Sequence, residues 1–322
     1  MSAPSPSSTL RAAAFGEALV VLVQDVPGPL EASPVFRRSL GGAEANVAIG
    51  LAALGVPTSV ISQVGDDGFG RYIVDELRLL GVDTSACAVD PARATGLYFK
   101  EVGGGTGRPT DLGPARSRMH YFRSGSAGAH LTPALLDTPA VARVLDQAAI
   151  VHTTGITAAL SDSASAAQHA LVARVRPRGL VSFDLNWRPR LWHGREAAGR
   201  LQLAELMRTC DIALAGLDEA AEVFGVSTAE ELRAMFPEPR RLVVKNDGGA
   251  VIAFDGAERV EVPVPERVPV IEAIGAGDAF AAGLLAGILQ QLPLFASVEQ
   301  GHRTAARALS SITDHIAPGS RR

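Results

Sequence analysis

The sequence contains little cysteine and few aromatic residues. Of its 322 residues two are cysteines, Cys87 and Cys210, and Phe, Trp and Tyr together make up 5%. Two cysteines cannot build a disulfide framework, and their spacing matches no zinc-binding pattern. This cysteine usage indicates a reducing, cytoplasmic setting. With so few aromatic side chains, the core is expected to consist mainly of Ala, Val and Leu.

Long apolar runs are also missing. The longest helix-like run, Ala279–Leu289, is much shorter than the roughly 20 residues that a membrane-spanning helix needs. The first residues lack a basic region, and Glu17 and Asp25 interrupt the apolar stretch after Arg11, which argues against a signal peptide. The sequence therefore predicts a soluble, cytoplasmic protein with no membrane partner.

The sequence has no excess of positive charge either. Lys and Arg number 30 against 34 Asp and Glu, which gives a formal net charge of −4. This balance excludes a nucleic-acid binder held by bulk positive charge. The seven histidines show no His-Glu-x-x-His spacing, so their pattern does not indicate a histidine-ligated metal.

Apolar residues and turn formers are abundant. Hydrophobic residues make up 47% and charged residues 20%, a composition that allows a large core and excludes global disorder. The 33 glycines and 20 prolines follow no Gly-x-y period, so they mark turns rather than a collagen helix. At roughly 100–200 residues per domain, the length allows one large domain or two ordinary ones.

Segments with strand and helix periodicity alternate along most of the chain. The β-branched run Thr58–Val64 predicts a buried strand, and the apolar spacing from Ala43 to Leu54 predicts a helix. The alternation ends in two predicted helices at 277–291 and 297–312, the second with Ser297 as its N-cap. This rhythm predicts an α/β fold with a doubly wound, mostly parallel sheet flanked by helices.

The alternation breaks once, between residues 93 and 124. Two half-buried strands, Thr95–Val102 and Met119–Arg123, flank a glycine-rich loop. With the strands before residue 40, they are expected to form a small antiparallel sheet, a lid, apart from the main sheet. We therefore predict a disordered tail at 1–10, a large α/β domain at 11–17, 41–92 and 125–316, and a lid split between 18–40 and 93–124.

A glycine-rich turn opens the first of the two closing helices. Gly275, Ala276 and Gly277 carry little side-chain bulk, and free backbone N–H groups at a helix N-terminus make an anion hole. Asp278 follows in the first turn. Its carboxylate either favours the helix dipole or caps the turn, or it accepts the proton of a hydroxyl that attacks a phosphate in the hole. The residues alone leave both interpretations open.

A second glycine-led helix begins near residue 43. Gly41 and Gly42 precede a first turn that carries Glu44 and Asn46. One interpretation is an ordinary loop before a helix. The other is a close approach of the Gly42 backbone to a ligand, with Asn46 donating a hydrogen bond to that ligand.

The two glycine-led segments resemble the signatures of a known family. Residues 41–70 are similar to the N-terminal signature of the ribokinase-like, or PfkB-type, sugar kinases, and residues 273–283 to their C-terminal signature. Two signatures in this order are far more specific than either alone. The resemblance covers Phe15 to about Ala308. It implies a large α/β domain with a small β-sheet lid and the ATP-dependent phosphorylation of a sugar hydroxyl.

Segments in the middle of the chain resemble one subgroup of that family, the 2-keto-3-deoxygluconate kinases. These segments are residues 95–98, 120–128 and 183–192. The resemblance implies a pocket in which arginines hold the carboxylate of a sugar acid and tyrosine hydroxyls add directed hydrogen bonds. The implied lining residues are Gly42, Tyr98, Tyr121, Arg123 and Arg188, with support from Asn186, one strand step from Arg188. Without the family, the tyrosines are equally cross-strand aromatics and the arginines solvated residues.

The resemblance also implies ATP and Mg²⁺. The residues implied at the nucleotide are Lys245, Asn246, Gly248, Gly249 and His302, and Glu219 helps to organise Mg²⁺. Four positions depart from the family pattern: Gly216 and His302 stand where Asn is usual, Asp247 adds an acid, and Glu272-Ala273 lacks the usual Asp. We expect weaker nucleotide binding unless Mg²⁺ offsets the added acid. The sequence leaves open whether a monovalent cation is needed.

The sequence thus predicts a kinase for the terminal hydroxyl of a sugar acid, with 2-keto-3-deoxygluconate as the first candidate. The alternatives are another acceptor, such as fructose, ribose, a related keto-deoxy sugar acid or a nucleoside, and a sugar-acid-binding regulator with weak catalysis. If Arg123 and Arg188 both face the pocket, an acidic substrate is favoured. The exposed edges of a β lid further predict a homodimer or larger homo-oligomer paired through the lids.

Overall fold

The structure is a computed structural model that describes residues 10–114, 116–246, 248–265, 268 and 274–310. Apart from Leu10, the predicted N-terminal tail lies outside the described residues. The same holds for Asp247, for Glu272 and Ala273, and for residues 311–316 at the end of the predicted large domain.

Nine of the described strands form one sheet. They are β1 (Arg11–Phe15), β4 (Thr58–Gly65), β5 (Asp83–Asp90), β8 (Ala148–Thr154), β9 (Leu180–Asp184), β10 (Ile212–Gly216), β11 (Arg241–Lys245), β12 (Val251–Asp255) and β13 (Glu258–Val262). Their order across the sheet is β13-β12-β11-β10-β9-β8-β1-β4-β5. The seven strands from β11 to β5 run parallel, and β12 and β13 form an antiparallel edge.

The other four described strands form the lid sheet. They are β2 (Leu19–Gln24), β3 (Phe36–Gly41), β6 (Leu97–Val102) and β7 (Ser117–Phe122), in the order β3-β2-β6-β7. The β2–β3 and β6–β7 pairs are antiparallel, and a parallel β2–β6 pair joins them. The lid sheet is therefore made from two segments of the chain that are distant in sequence.

Ten α-helices are described. They are α1 (Ala43–Ala53), α2 (Gly68–Leu79), α3 (Pro139–Gln147), α4 (Gly155–Leu160), α5 (Asp162–Val175), α6 (Glu196–Thr209), α7 (Leu217–Phe224), α8 (Ala229–Met235), α9 (Ala276–Leu289) and α10 (Leu294–Leu309). None of the helices in the described ranges combines the length and the apolar character that a membrane crossing demands.

Helices cover both faces of the nine-stranded sheet. Along β10 the side chains alternate: Ile212 and Leu214 pack with residues of α1, α9 and α10, whereas Ala213 and Ala215 pack with residues of α3 to α8. All four side chains are completely buried. Burial on both faces explains why these strands appear in the sequence as continuous apolar runs rather than as alternating patterns.

The predicted fold class is confirmed, and the predicted strands and helices recur with shifted ends. The expected N-cap at Ser297 is wrong. The last helix begins at Leu294, directly after Pro293, because the side chain of Leu294 joins the apolar cluster beneath α9 and α10. Ser297 is buried inside that helix, where its hydroxyl donates to the carbonyl of Leu292 at 3.3 Å. The predicted end of this helix at Ile312 lies outside the described residues.

A buried carboxyl group fixes α1 against the main sheet. Glu44, in the first turn of α1, has no exposed surface. Its Oε1 accepts hydrogen bonds from the hydroxyls of Thr154 and Thr157, each at 2.7 Å, and from the N–H of Thr154 at 3.2 Å. Burial raises the pKa of Glu44, and these bonds partly offset that rise. Since Thr154 ends β8 and Thr157 lies in α4, one side chain joins three elements.

Replacing Thr157 with Val removes one hydroxyl donor to Glu44 and keeps the shape of the side chain. Losing a hydrogen bond to a buried, charged or strongly polar group costs about 1.5–3 kcal/mol. We expect Thr157→Val to lower the free energy of unfolding by that amount in urea titrations. Thr157→Ser keeps the donor and serves as the matched control. Equal losses in the two variants would contradict the role given to the hydroxyl.

Candidate active site

The N-terminus of α9 presents free backbone N–H groups. Gly275 is the N-cap and adopts the left-handed conformation (φ 81°), which a residue with a Cβ rarely adopts. The chain then turns into the helix through Ala276 and Gly277, and the N–H groups of a first helical turn have no partners within the helix. The structure therefore gives the predicted anion hole the geometry that such a hole requires.

Asp278 lies in that first turn, facing α1. The Nδ2 group of Asn46 donates to Asp278 Oδ2 at 2.8 Å. Burial raises the pKa of Asp278 to about 7, against the opposing effect of the Asn46 hydrogen bond. The nearby charge of Asp184 raises this pKa further, and Arg188 and Lys245 lower it. Asp278 is thus a carboxyl group that changes its protonation near neutral pH.

Lys245 supplies a positive charge next to the anion hole. Its Nζ donates to Asp184 Oδ2 at 2.6 Å and lies 3.8 Å from where a Cβ on Gly277 would stand. Burial lowers the pKa of Lys245, but the charges of Asp184 and Glu219 outweigh this effect and raise it overall. A protonated Lys245 therefore stands close to the first turn of α9 at neutral pH.

Arg188 connects the predicted sugar site with the predicted metal site. Its guanidinium donates to Glu219 Oε1 and to Asn186 Oδ1, each at 2.8 Å. Asn186 has a left-handed backbone (φ 40°), and β9 already ends at Asp184. The contact between Asn186 and Arg188 therefore arises from a turn after the strand, not from the alternation of side chains along a strand.

A cleft of about 1110 Å³ opens between the lid sheet and the large α/β domain. Its described lining includes Tyr121 and His120 of β7 and no Asp or Glu. Five of its lining residues are arginines: Arg118, Arg123, Arg188, Arg190 and Arg195. A lining rich in arginine and without acids favours an anionic ligand.

Of the two predicted tyrosines, Tyr121 is part of the described lining of this cleft and is 48% exposed, whereas Tyr98 is not part of that lining. The ring of Tyr98, which is buried, lies 5.0 Å from the ring of Tyr121, and the Arg123 guanidinium lies 4.4 Å from the centre of the Tyr121 ring. Gly42 is required for a local reason as well. Its φ is 117°, and a Cβ there would stand 2.4 Å from the carbonyl oxygen of Glu17. The sequence predicted that the Gly42 backbone approaches a ligand, but not that it packs against the Glu17 backbone.

Two buried acids were missed from the sequence as members of the site. Glu17 forms an ion pair with Arg123, and both side chains are buried. Glu44 lies beside Gly16, where an added Cβ would overlap its carboxyl group. The available signal was that each acid lies among apolar residues, Glu17 shortly after β1 and Glu44 within α1. That pattern indicates buried charge but does not identify its partner.

The residues predicted at the nucleotide side fall into two groups. Asn246, Gly248 and Gly249 directly follow Lys245 in a turn in which the Gly249 N–H donates to the Asn246 carbonyl at 2.8 Å. His302 belongs to α10. It is buried, its Nε2 lies 3.1 Å from the Val262 carbonyl oxygen, and its ring packs 5.4 Å from that of Phe280. These contacts give His302 a structural function between α9, α10 and β13.

The chain belongs to the pfkB family of carbohydrate kinases, whose family model matches residues 9–314. It is therefore a phosphotransferase that acts on a sugar. The resemblance found in the two signatures is confirmed, and it extends over nearly the whole described fold.

Relatives and solved structures agree with this assignment. A 2-dehydro-3-deoxygluconokinase of Thermoproteus tenax is 37% identical over 276 residues, which are 85% of this chain and 80% of the relative. A PfkB protein of Polaromonas sp. JS666 matches with a TM-score of 0.83 and 31% identity, over 94% of this chain and 97% of that one. A sugar kinase of Pyrococcus horikoshii, solved in complex with ATP, matches with a TM-score of 0.81 and 26% identity, over 95% of each chain.

The Lys245–Asp184 pair gives a direct test of the site's electrostatics. Lys245→Met leaves the Asp184 carboxylate, which is 1% exposed, without its cation. Breaking a buried pair from one side costs about 3–5 kcal/mol, so we expect that loss in the free energy of unfolding. The double variant Asp184→Asn/Lys245→Met should recover most of the loss, because no uncompensated charge remains. A double variant no more stable than Lys245→Met would refute the pairing.

Proposed function

We propose that the protein transfers the γ-phosphoryl group of ATP to the terminal hydroxyl of a sugar acid, with 2-keto-3-deoxygluconate as the first candidate. The observation that carries this proposal is the position of Asp278. It stands at an anion-binding helix N-terminus and close enough to Arg188 for that charge to lower its pKa, and Arg188 lines the arginine-rich cleft. The proposed base, the proposed phosphate site and the proposed anion site are therefore neighbours in the structure.

The lining of the cleft supports an acidic acceptor over a neutral one. Guanidinium groups bind carboxylates in a planar, two-point geometry, and the described lining has no acid to repel a carboxylate. Arg123 and Arg188 both contribute to this lining. The T. tenax relative is named for the same keto-deoxy sugar acid. Fructose, ribose and nucleosides carry no carboxylate, so the cleft favours them less.

Asp278 is the proposed general base. In its ionised form it accepts the proton of the sugar hydroxyl while the hydroxyl oxygen forms a bond to the γ-phosphorus and the bond to ADP breaks. Asn46 holds the carboxylate in place through Oδ2 and is also proposed to contact the sugar. A pKa near neutrality is suited to this transfer, since the base must be ionised before the reaction and protonated after it.

The charge that develops on the transferred phosphoryl group is stabilised by fixed donors. The N–H groups of Gly275 to Gly277 and the Lys245 ammonium are proposed to contact the γ-phosphate next to Asp278. The turn at Asn246, Gly248 and Gly249 follows Lys245 and is proposed to contact the nucleotide. His302, which packs α10 against α9, is likewise proposed to contact the nucleotide.

The acidic residues of the site fit a magnesium ion that accompanies ATP. Asp184 Oδ1 is buried and has no hydrogen-bond partner among the described residues. Glu219 lies near enough for the Asp184 charge to raise its pKa, in addition to the larger rise from burial. Within the described ranges no three metal-binding side chains cluster, which fits an ion held mainly by phosphates and water. Mg²⁺ would neutralise phosphate charge there, with Glu219 and Asp184 acting on its water ligands.

The lid is proposed to comprise 18–40 and 93–124 and to cover the sugar during transfer, because water is the competing acceptor. We also propose a cytoplasmic enzyme that pairs through its lids. Val35 and Phe122 are 56% and 62% exposed beside or on the edge strands β3 and β7, a surface that a second lid would cover.

The central test is an ADP-release assay over a panel of sugar acids and neutral sugars, with Asp278→Asn as the comparison. We expect turnover with a sugar acid and a loss of at least about a thousandfold in the variant, because the hydroxyl proton has no acceptor. Sugar binding should survive, since the amide keeps the shape of the carboxyl group. Wild-type turnover in Asp278→Asn would refute the base assignment, and binding without turnover in the wild type would favour the regulator.

The pH dependence of turnover provides a second test. Asp278 must be ionised, so kcat at saturating sugar acid should rise with pH and level off above about 7. Asn46→Ala removes the hydrogen bond that lowers this pKa. A hydrogen bond to a charged group is worth about 1.5–3 kcal/mol, and the rising limb should therefore move to higher pH by about one unit or more. An unchanged limb in Asn46→Ala would contradict the assignment of the limb to Asp278.

A further inference from the structure

A second cluster of buried charged residues lies where the lid meets the large α/β domain. Glu17 stands between β1 and β2, and Arg123 follows β7. Their side chains are 2% and 9% exposed and form an ion pair through Oε1 and Nη1. The proposed mechanism of phosphoryl transfer makes no use of Glu17.

The cluster contains more carboxyl groups than cations. Glu44 lies close enough for the charge of Glu17 to raise its pKa. Around Glu17, the charged groups are Arg123 after β7 and Glu44 of α1, whereas the segments at Gly42 and Gly128 contribute backbone and small side chains. Two neighbouring carboxyl groups are therefore accompanied by one guanidinium, which pairs with Glu17.

Three polar atoms of the cluster remain unused. Glu17 Oε2, Glu44 Oε2 and Arg123 Nε are buried and have no hydrogen-bond partner among the described residues. A buried guanidinium with an unused N–H can accept a further carboxylate. The Arg123 guanidinium is also held over the Tyr121 ring, 4.4 Å from its centre, where that ring lines the cleft.

We propose that Glu17 positions Arg123 for the carboxylate of the sugar acid and takes up one proton from solvent when that carboxylate binds. The inference rests on the proposed function, since it requires an acidic substrate. Binding would bring a third carboxyl group next to a single buried cation. Neighbouring carboxylates repel one another, and this repulsion disfavours the ionisation of all three. The sugar acid is already ionised at neutral pH and becomes the partner of Arg123, so the proton goes to Glu17.

The surroundings of Glu17 lower the free-energy cost of protonating its carboxylate. Burial raises the pKa of Glu17, against the opposing charge and hydrogen bond of Arg123. A substrate carboxylate that takes over part of the Arg123 charge weakens that opposing effect. Because binding consumes a proton, affinity for the sugar acid should fall with rising pH, by as much as about tenfold per pH unit.

Isothermal titration calorimetry in two buffers of different ionisation enthalpy measures the proton count. For 2-keto-3-deoxygluconate and the full-length protein at pH 7.5, we expect about one proton taken up per sugar acid bound. Glu17→Gln keeps an acceptor for Arg123 but cannot titrate, so it should bind with no proton uptake. Asp90→Asn is the matched control, because Asp90 is a buried acid paired with Arg93 at 3.0 Å outside the cleft; it should keep the uptake.

A kinetic comparison separates positioning from mere packing. Glu17→Ala should raise KM for the sugar acid at least tenfold with a much smaller change in kcat, and Glu17→Gln should restore KM. Binding by the wild type without proton uptake, or uptake that persists in Glu17→Gln, would overturn the inference and leave the proposed function intact. Absence of any binding by sugar acids, with turnover of a neutral sugar, would overturn both.

Discussion

The hydrogen bond from Asn46 to Asp278 is the contact on which the site depends. It joins two residues 232 positions apart at a distance of 2.8 Å, and each lies in the first turn of a helix that follows a glycine with positive φ. The bond therefore fixes the start of α1 relative to the start of α9. Glu44 and Asn46 lie at the start of α1, directly after Gly42, so the same contact aligns the proposed sugar side with the proposed phosphate side.

In the rest of the site, ion pairs with acids neutralise the charges of the cations. Lys245 pairs with Asp184, Arg188 with Glu219, and Arg123 with Glu17, so three cations of the site are each held by an acid of the chain. These pairs prevent uncompensated charge in a largely buried region. They also mean that ligand anions enter an existing network and compete within it.

The fold and the helix-terminal features could be predicted because they depend on neighbouring residues. The Gly275-to-Asp278 turn and the β-branched run at Thr58 act locally, and the structure has a helix start and a strand at those places. β5 was missed because Asp83–Asp90 has no continuous β-branched run, being an edge strand with exposed positions. The partners of Asn46, Arg123 and Arg188 could not be predicted, since they lie 232, 106 and 31 positions away and only the folded chain brings them together.

The place of β1 in the sheet affects how the chain can fold during synthesis. β1 comes first among the described strands in sequence order but lies between β4 and β8, with Ala12 beside both Thr58 and Ile150. It has one neighbour once β4 has emerged from the ribosome, and its other edge stays unpaired until β8 follows. An unpaired apolar edge is prone to join another chain. In that interval α2, β5, β6, β7 and α3 are made, and these elements can shield the edge.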